Sequence, residues 1–387
     1  VTDDGFPSNW GMPDDVDDAT WMVDRAARAE VDILSRGIDI SGMANYATRL
    51  DRLRIDADAI LSQQFPRPIY RRAYEILKRF NESKRRVPER YFHVADANDV
   101  TPLGYSRMAH ICGAPPYQFF RSALFESHPE WSCTDIDGRP VSRLSYAFPE
   151  VRKALLDLFE ESIEMGAAGM NDVFVRGLPV VLYEEPVRER FREEYGEEVT
   201  DLPENDPRAE RVRAEFVTTF MREQRECLED AVDGNPTTIM ASVPATGEVC
   251  SFYGLDVETW ADEGLIDILC PYRWGKDAGD EPLDMDFFAE AVDETNTRLM
   301  PFVNTWRDKQ AAPVLQRALH LCEWPIDGLS IWDGLTRGRD FLESMPLMKS
   351  PEGIRRALQN LQEGPTRREV VMLDGVKNNK YHFGWNM

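Results

Sequence analysis

The stretch VETWADEGLIDILCPYRW, residues 257–274, decides the fold class. Val257–Gly264 has helical spacing with Gly264 at its end, where a helix stops readily. Ile266–Trp274 follows at once as a short apolar run that ends in polar and aromatic residues, the pattern of a buried parallel strand. The same unit recurs downstream. A helical run at Asp284–Glu294 precedes RLMPFVNTW (298–306), and another at Ala312–Glu323 precedes DGLSIWDG (327–334).

Upstream the alternation continues with longer spacers. VTDDG (1–5) reads as a first strand, followed by a helical run at 17–29. VDILSRG (31–37) reads as a second, with a helix at Ile69–Lys84 after it. RYFHVADAND (90–99) reads as a third. The helix Pro149–Met165 then precedes GMNDVFVRG (169–177), and the helix Arg208–Val232 precedes TTIMASV (237–243). The roughly fifty residues between the third strand and Pro149 are expected to form a functional loop. Eight β units separated by helices is the count of a (β/α)8 barrel, an α/β fold with long strand-end loops. The barrel is assigned to residues 1–350. Residues 351–387 are expected to add a helix and a short β appendage packed on it. No GxGxxG or GxxxxGK[ST] stretch occurs, which argues against a doubly wound nucleotide-binding sheet.

Composition narrows the function. The chain has 387 residues, 42% hydrophobic, so a large core is available. Its formal charge is −24, which opposes binding to nucleic acid phosphates and to anionic membranes. No run of about 18 apolar residues suggests a membrane span. Six cysteines without CxxC spacing and five scattered histidines offer no metal motif, so neither metal nor cofactor is expected. There is no GxSxG elbow, and no HExxH. The first residue is Val1 rather than Met; a trimmed leader would place the protein in the periplasm or outside the cell. Oligomeric state has no signature in the sequence.

In a (β/α)8 barrel the chemistry sits at the C-terminal ends of the strands. Those ends supply Asp4, then Arg36. The third run supplies His93, Asp96 and Asn98; the fourth Asn171, Asp172 and Arg176. The sixth gives Tyr272, Arg273 and Trp274, the seventh Asn304 and Trp306, and the eighth Trp332 and Asp333. Carboxylates, Arg, Asn and several aromatic rings at one rim suit a carbohydrate. Aromatic faces stack on sugar rings, planar polar groups bind hydroxyls, and paired carboxylates cleave glycosidic bonds.

Four stretches carry a resemblance: ESHPEW (126–131), LSYAFPEVRKALLDLFEESIEMGAAGM (144–170), VRGLP (175–179) and YGLDVETWADEGLIDILCP (253–271). By their order and spacing the chain resembles the bacterial glycosyl-hydrolase-like family related in outline to family 10 glycoside hydrolases. The resemblance runs from VTDDG to SIWDG. It implies a TIM barrel that hydrolyses glycosidic bonds in a polysaccharide or oligosaccharide. Members commonly carry two alternating acids on the fourth strand. Here Asn171 and Val173 hold those positions, and the strand's only acid, Asp172, has the opposite parity. Unless a bulge re-aims it, Asp172 points away from the barrel axis.

The sequence therefore points to a glycoside hydrolase with Asp172 as the leading acid and Asp333 or Asp96 as its partner. The other rim residues bind substrate, and Arg36, Arg176 and Arg273 favour an anionic one. The alternatives are a non-catalytic carbohydrate-binding barrel, and a barrel lyase or isomerase acting on sugar-derived substrates.

Overall fold

The computed structural model describes residues 2–4, 20–40, 42–54, 60–65, 68–84, 86–110, 122–231, 237–273, 283–305, 310–332, 334–336 and 339–363. Its centre is one parallel sheet of eight strands: β1 (Thr2–Asp4), β2 (Ile33–Gly37), β3 (Thr101–Ser106), β4 (Gly169–Val173), β5 (Thr238–Val243), β6 (Ile268–Pro271), β7 (Arg298–Leu299) and β8 (Ile331–Trp332). Their spatial order is β7-β6-β5-β4-β3-β2-β1-β8, so the last strand returns beside the first. Between β7 and β8 no regular ladder forms among the described residues. One parallel bridge, Phe302 to Ser330, links the segments beside them. Val303 N–H donates to Ser330 O at 2.8 Å and Ser330 N–H to Pro301 O at 3.0 Å.

Helices fill the connections: α1 (Trp21–Arg28), α2 (Pro68–Ser83), α3 (Val87–Asp96), α4 (Pro149–Glu164), α5 (Pro207–Ala231), α6 (Val257–Asp262), α7 (Met285–Val292) and α8 (Ala311–Leu321). Strand alternation divides the apolar residues between two cores. Ile33, Leu103, Tyr105, Val173, Met240, Ile268, Tyr272, Phe302 and Trp332 pack together on the inner face. Leu34, Met170, Ile239, Ala241, Leu269 and Ile331 pack outward against the helices. At the strand starts, the Asp267 carboxylate accepts Ile239 N–H at 2.7 Å and that of Asp327 accepts Leu299 N–H at 2.8 Å. These two acids use otherwise unpaired amides to fix where β5 and β7 begin.

The third strand is not where the sequence predicts it. Residues 90–99 belong to α3 and the turn after it, and β3 is TPLGYS, Thr101–Ser106. The aromatic content of RYFHVAD imitates a strand. Its burial is helical, with Val87, Pro88, Tyr91, Phe92 and Ala95 on one face and Pro88 in the first turn, where its missing N–H costs nothing. Pro102 and Gly104 disguise the true strand. Gly104 is required there, because a Cβ would stand 2.5 Å from Ser162 Oγ and 2.9 Å from Met170 Sδ.

The long segment after β3 is partly regular, with a short helix (Ala123–Ser127) and a hairpin pairing Ser132–Thr134 with Pro140–Leu144. Beyond β8, α9 (Pro351–Glu363) buries Ile354 and Ala357 in the outer core. The β appendage expected after this helix falls at residues 364–387, outside the described residues. No described helix is long and apolar enough to cross a membrane.

Candidate functional site

All eight strands run the same way, so their C-terminal ends share one mouth. Inside it, Asn171 of β4 spans the sheet. Its Oδ1 accepts from Ser242 Oγ of β5 at 2.8 Å, and its Nδ2 donates to Ser35 Oγ of β2 at 3.3 Å. Asn171 therefore does face inward, as its parity requires, and all three residues are buried. Burial pushes the nearby Cys270 thiol up to about 11, against the pull of the Ser330 and Ser242 hydroxyls. It is a neutral thiol at physiological pH and a poor nucleophile.

An aromatic group gathers the ends of β3, β6, β7 and β8. Tyr272 stacks on Phe302 with ring centres 4.0 Å apart and meets Trp332 edge-on at 5.4 Å; Tyr105 lies 5.8 Å from Trp332. The Arg176 guanidinium sits 5.5 Å above the Trp332 ring, within cation–π range. Trp332 thus faces the interior as expected, yet it is only 5% exposed, so its ring is covered rather than an open stacking platform. Arg176 and Arg273 are half-buried at the mouth. A 3-10 turn, Phe174–Arg176, lifts Arg176 off β4. Gly177 follows because a Cβ there would lie 2.1 Å from Arg107 O. Asn304, also half-buried, is fixed from outside: its carbonyl accepts two Arg317 N–H groups at 3.1 and 2.7 Å.

Several sequence candidates sit elsewhere. Asp96, Asn98 and His93 are exposed on α3 and its following turn, before β3 begins, so they lie toward the strand starts and away from the mouth. Asn98 is occupied with a bond to Val94 O at 2.8 Å. Arg36 points outward, buried over the Tyr91 ring of α3 at 5.4 Å, because it alternates with inward-facing Ser35.

Asp172 also points outward, and no bulge re-aims it. Its backbone pairs in register with Ser106 and Ala241, and its Oδ1 accepts from Gln224 Nε2 of α5 at 3.1 Å. It is fully buried between sheet and helix, and burial raises its carboxyl to about 7, against the Gln224 hydrogen bond and the charge of Arg225. Trp274, Trp306 and Asp333 lie outside the described residues. In β1, Asp3 pairs in register with Ser35 and Trp332, both inward-facing, and Asp4 with Arg36.

Among the described residues the inner faces of β2–β7 carry no carboxylate, and no cluster of metal-binding side chains occurs. Tyr105 and Phe302 belong to the aromatic group but escaped the sequence reading. Tyr105 sits on the misplaced strand, where the period-2 pair Leu103 and Tyr105 was the available signal. Phe302 lies inside the run 298–306, two residues before Asn304, where a reading of strand ends passes over it.

The sequence matches no family model and no curated protein. Solved structures do match in fold. The β-galactosidase from Marinomonas ef1 aligns with a TM-score of 0.54 at 10% identity, over 93% of this chain and 59% of that one. The PgaB (BpsB) glycoside hydrolase domain from Bordetella bronchiseptica aligns at 0.55 and 12% identity, over 86% and 93%. The β-amylase catalytic domain from Paenibacillus polymyxa aligns at 0.51 and 9%, over 86% and 91%. The chain thus spans well under two thirds of the Marinomonas enzyme and nearly all of the other two. None of these likenesses singles out family 10. What they share with this chain is the architecture: it has a glycosidase-like α/β fold built on a parallel sheet.

Proposed function

We propose that the protein is a glycoside hydrolase of the (β/α)8 type whose catalytic acids come from the first and last strands. The reading is carried by one observation: Asp3 is in register with inward-facing Ser35 and Trp332. β8 ends at Trp332, and Asp333, the next residue in sequence, is assigned to the strand-end loop, where strand alternation no longer sets its direction. An acid pair is what glycoside cleavage needs, and β2–β7 offer none on their described inner faces. Asp172 supports the fold instead, since a fully buried, outward-facing carboxyl cannot reach a sugar in the mouth. The glycosidase-like fold and the polar, aromatic mouth agree with a carbohydrate substrate. Arg176 and Arg273 favour one that bears carboxylate or sulfate groups.

The second reading is a carbohydrate-binding barrel without catalysis. It is favoured by Asn171, an amide facing inward on β4 at a position where the sequence resemblance implies an acid. One experiment separates the two. The protein is incubated with neutral and anionic polysaccharides, and product release and calorimetric binding are measured in parallel. Cleavage supports the hydrolase; saturable binding without any product supports the binder; neither overturns both.

A further inference from the structure

Behind the mouth, between the sheet and its helices, a group of buried polar atoms lacks partners. Asp172 Oδ2 and Gln224 Oε1 are each buried without a hydrogen bond, although their other atoms bond each other at 3.1 Å. Ser106 Oγ, on the residue paired in register with Asp172 across β3 and β4, makes no hydrogen bond of close geometry, although it acts on the Asp39 carboxyl as a longer-range partner. Asp39 accepts Gly42 N–H through Oδ2 at 2.9 Å; the Ser106 hydroxyl and the Arg107 N–H also act on this carboxyl, with Oδ1 making no bond of close geometry. All four residues are at least nine-tenths buried. Buried oxygens without close partners are rare and costly, so Asp172 Oδ2, Gln224 Oε1 and Ser106 Oγ together call for a ligand that pairs them.

We propose that Ser106, Asp172 and Gln224 form a binding site for one internal water molecule between the sheet and α5. The complement of donors and acceptors fits a single water. Its two hydrogens go to Gln224 Oε1 and Ser106 Oγ, and it accepts the hydrogen of a neutral Asp172 carboxyl. The Ser106 hydroxyl is then released to donate to Asp39 Oδ1. Three partners is the usual number for a buried water. The groups around the site are consistent with a neutral Asp172. Tyr146, itself buried, faces it from the segment before α4, and Tyr146 O–H is committed to Met108 O at 2.8 Å. Arg225 is the cation acting on it from α5, and Arg225 is already paired with Asp267 at 2.8 Å. Around Asp39 stand Arg107 and, more remotely, Tyr46, which donates to Glu161 at 2.8 Å. The site thus links two buried acids through one hydroxyl and one water, so a change of protonation at either is felt by the other.

The test uses the intact protein with carboxyl-labelled aspartate, read by infrared difference spectroscopy. A protonated aspartic band is expected in acid that fades as the pH passes about 7. The component that fades near pH 7 should be lost in Asp172→Asn, leaving that of Asp39, which burial raises to about 6, and it should shift in frequency in Ser106→Ala, which removes one of the water's partners. A high-resolution crystal structure should show a solvent peak within hydrogen-bond distance of Ser106 Oγ, Asp172 Oδ2 and Gln224 Oε1. The proposal is overturned by no peak there, by a peak that disappears when sodium is exchanged out of the crystal, or by a band unmoved in Ser106→Ala. If Ser106→Ala does not fold, the crystal of the wild-type protein alone decides.

Discussion

Replacing Asp172 with Asn removes a titration that the fold opposes. The folded-state carboxyl is raised to about 7 by burial, whereas an unfolded Asp titrates near 3.9. An acid raised on folding contributes its stability at low pH and loses it as pH climbs from about 4 through about 7, because the folded state holds the proton more tightly. About three pKa units correspond to roughly 4 kcal/mol, the difference accumulated between pH 4 and pH 8. Asparagine keeps the shape and can still accept from Gln224 Nε2, but it never ionises. Asp172→Asn should therefore match the wild type near pH 4 and exceed it in stability at pH 8 by up to about 4 kcal/mol. Urea denaturation of both proteins at pH 4, 6 and 8 measures this directly, with m-values checked for constancy. A stability difference that does not change with pH, or one that favours the wild type at pH 8, would refute the reasoning.

The buried carboxylate of Glu161 on α4 accepts from Tyr46 O–H at 2.8 Å, Thr48 O–H at 2.5 Å and Arg49 N–H at 3.0 Å, fixing the segment after β2. Glu161→Leu should cost about 3 kcal/mol or more in chemical denaturation, because it strands three donors at once. Gly169→Ala should be poorly tolerated, since its Cβ would stand 1.9 Å from Thr238 O at a φ of 158°; a melting temperature equal to the wild type would contradict this. Trp260 is fully buried between α6 and α5 with its indole N–H on Thr218 Oγ1 at 3.0 Å, so Trp260→Ala should lose about 3–5 kcal/mol by urea titration. Arg176→Ala should weaken binding of anionic oligosaccharides in calorimetry by at least tenfold and leave neutral ones within about twofold, if the mouth selects charge.

Much of the architecture was legible because it repeats. Seven of the eight strands fall inside runs that read as strands, all but β1 with apolar residues in the strand, and the helices between them show 3.6-residue stripes, so most local signals agree with the global alternation. β3 was illegible for a local reason: Pro102 and Gly104 break strand propensity, and α3 beside it is rich in aromatics. That slip moved His93, Asp96 and Asn98 to the wrong end of the sheet and hid Tyr105. Parity was the more reliable guide. It placed Asn171 inward and Asp172 outward, and the hydrogen bonds to Ser242 and Gln224 agree with both. The covering of Trp332 by Tyr105, Tyr272 and Arg176 depends on contacts between residues up to 227 positions apart, from Tyr105 to Trp332, and no local pattern encodes it.

Under the proposed function the catalytic acids come from the first and last strands and not from the fourth. Product release from a polysaccharide cleaved by the wild type, measured side by side for Asp3→Asn, Asp333→Asn and Asp172→Asn, tests it most directly. The expected result is a loss of turnover by orders of magnitude in the first two, with near-wild-type turnover in Asp172→Asn. Full activity in Asp3→Asn and Asp333→Asn, or its collapse in a correctly folded Asp172→Asn, would contradict the account.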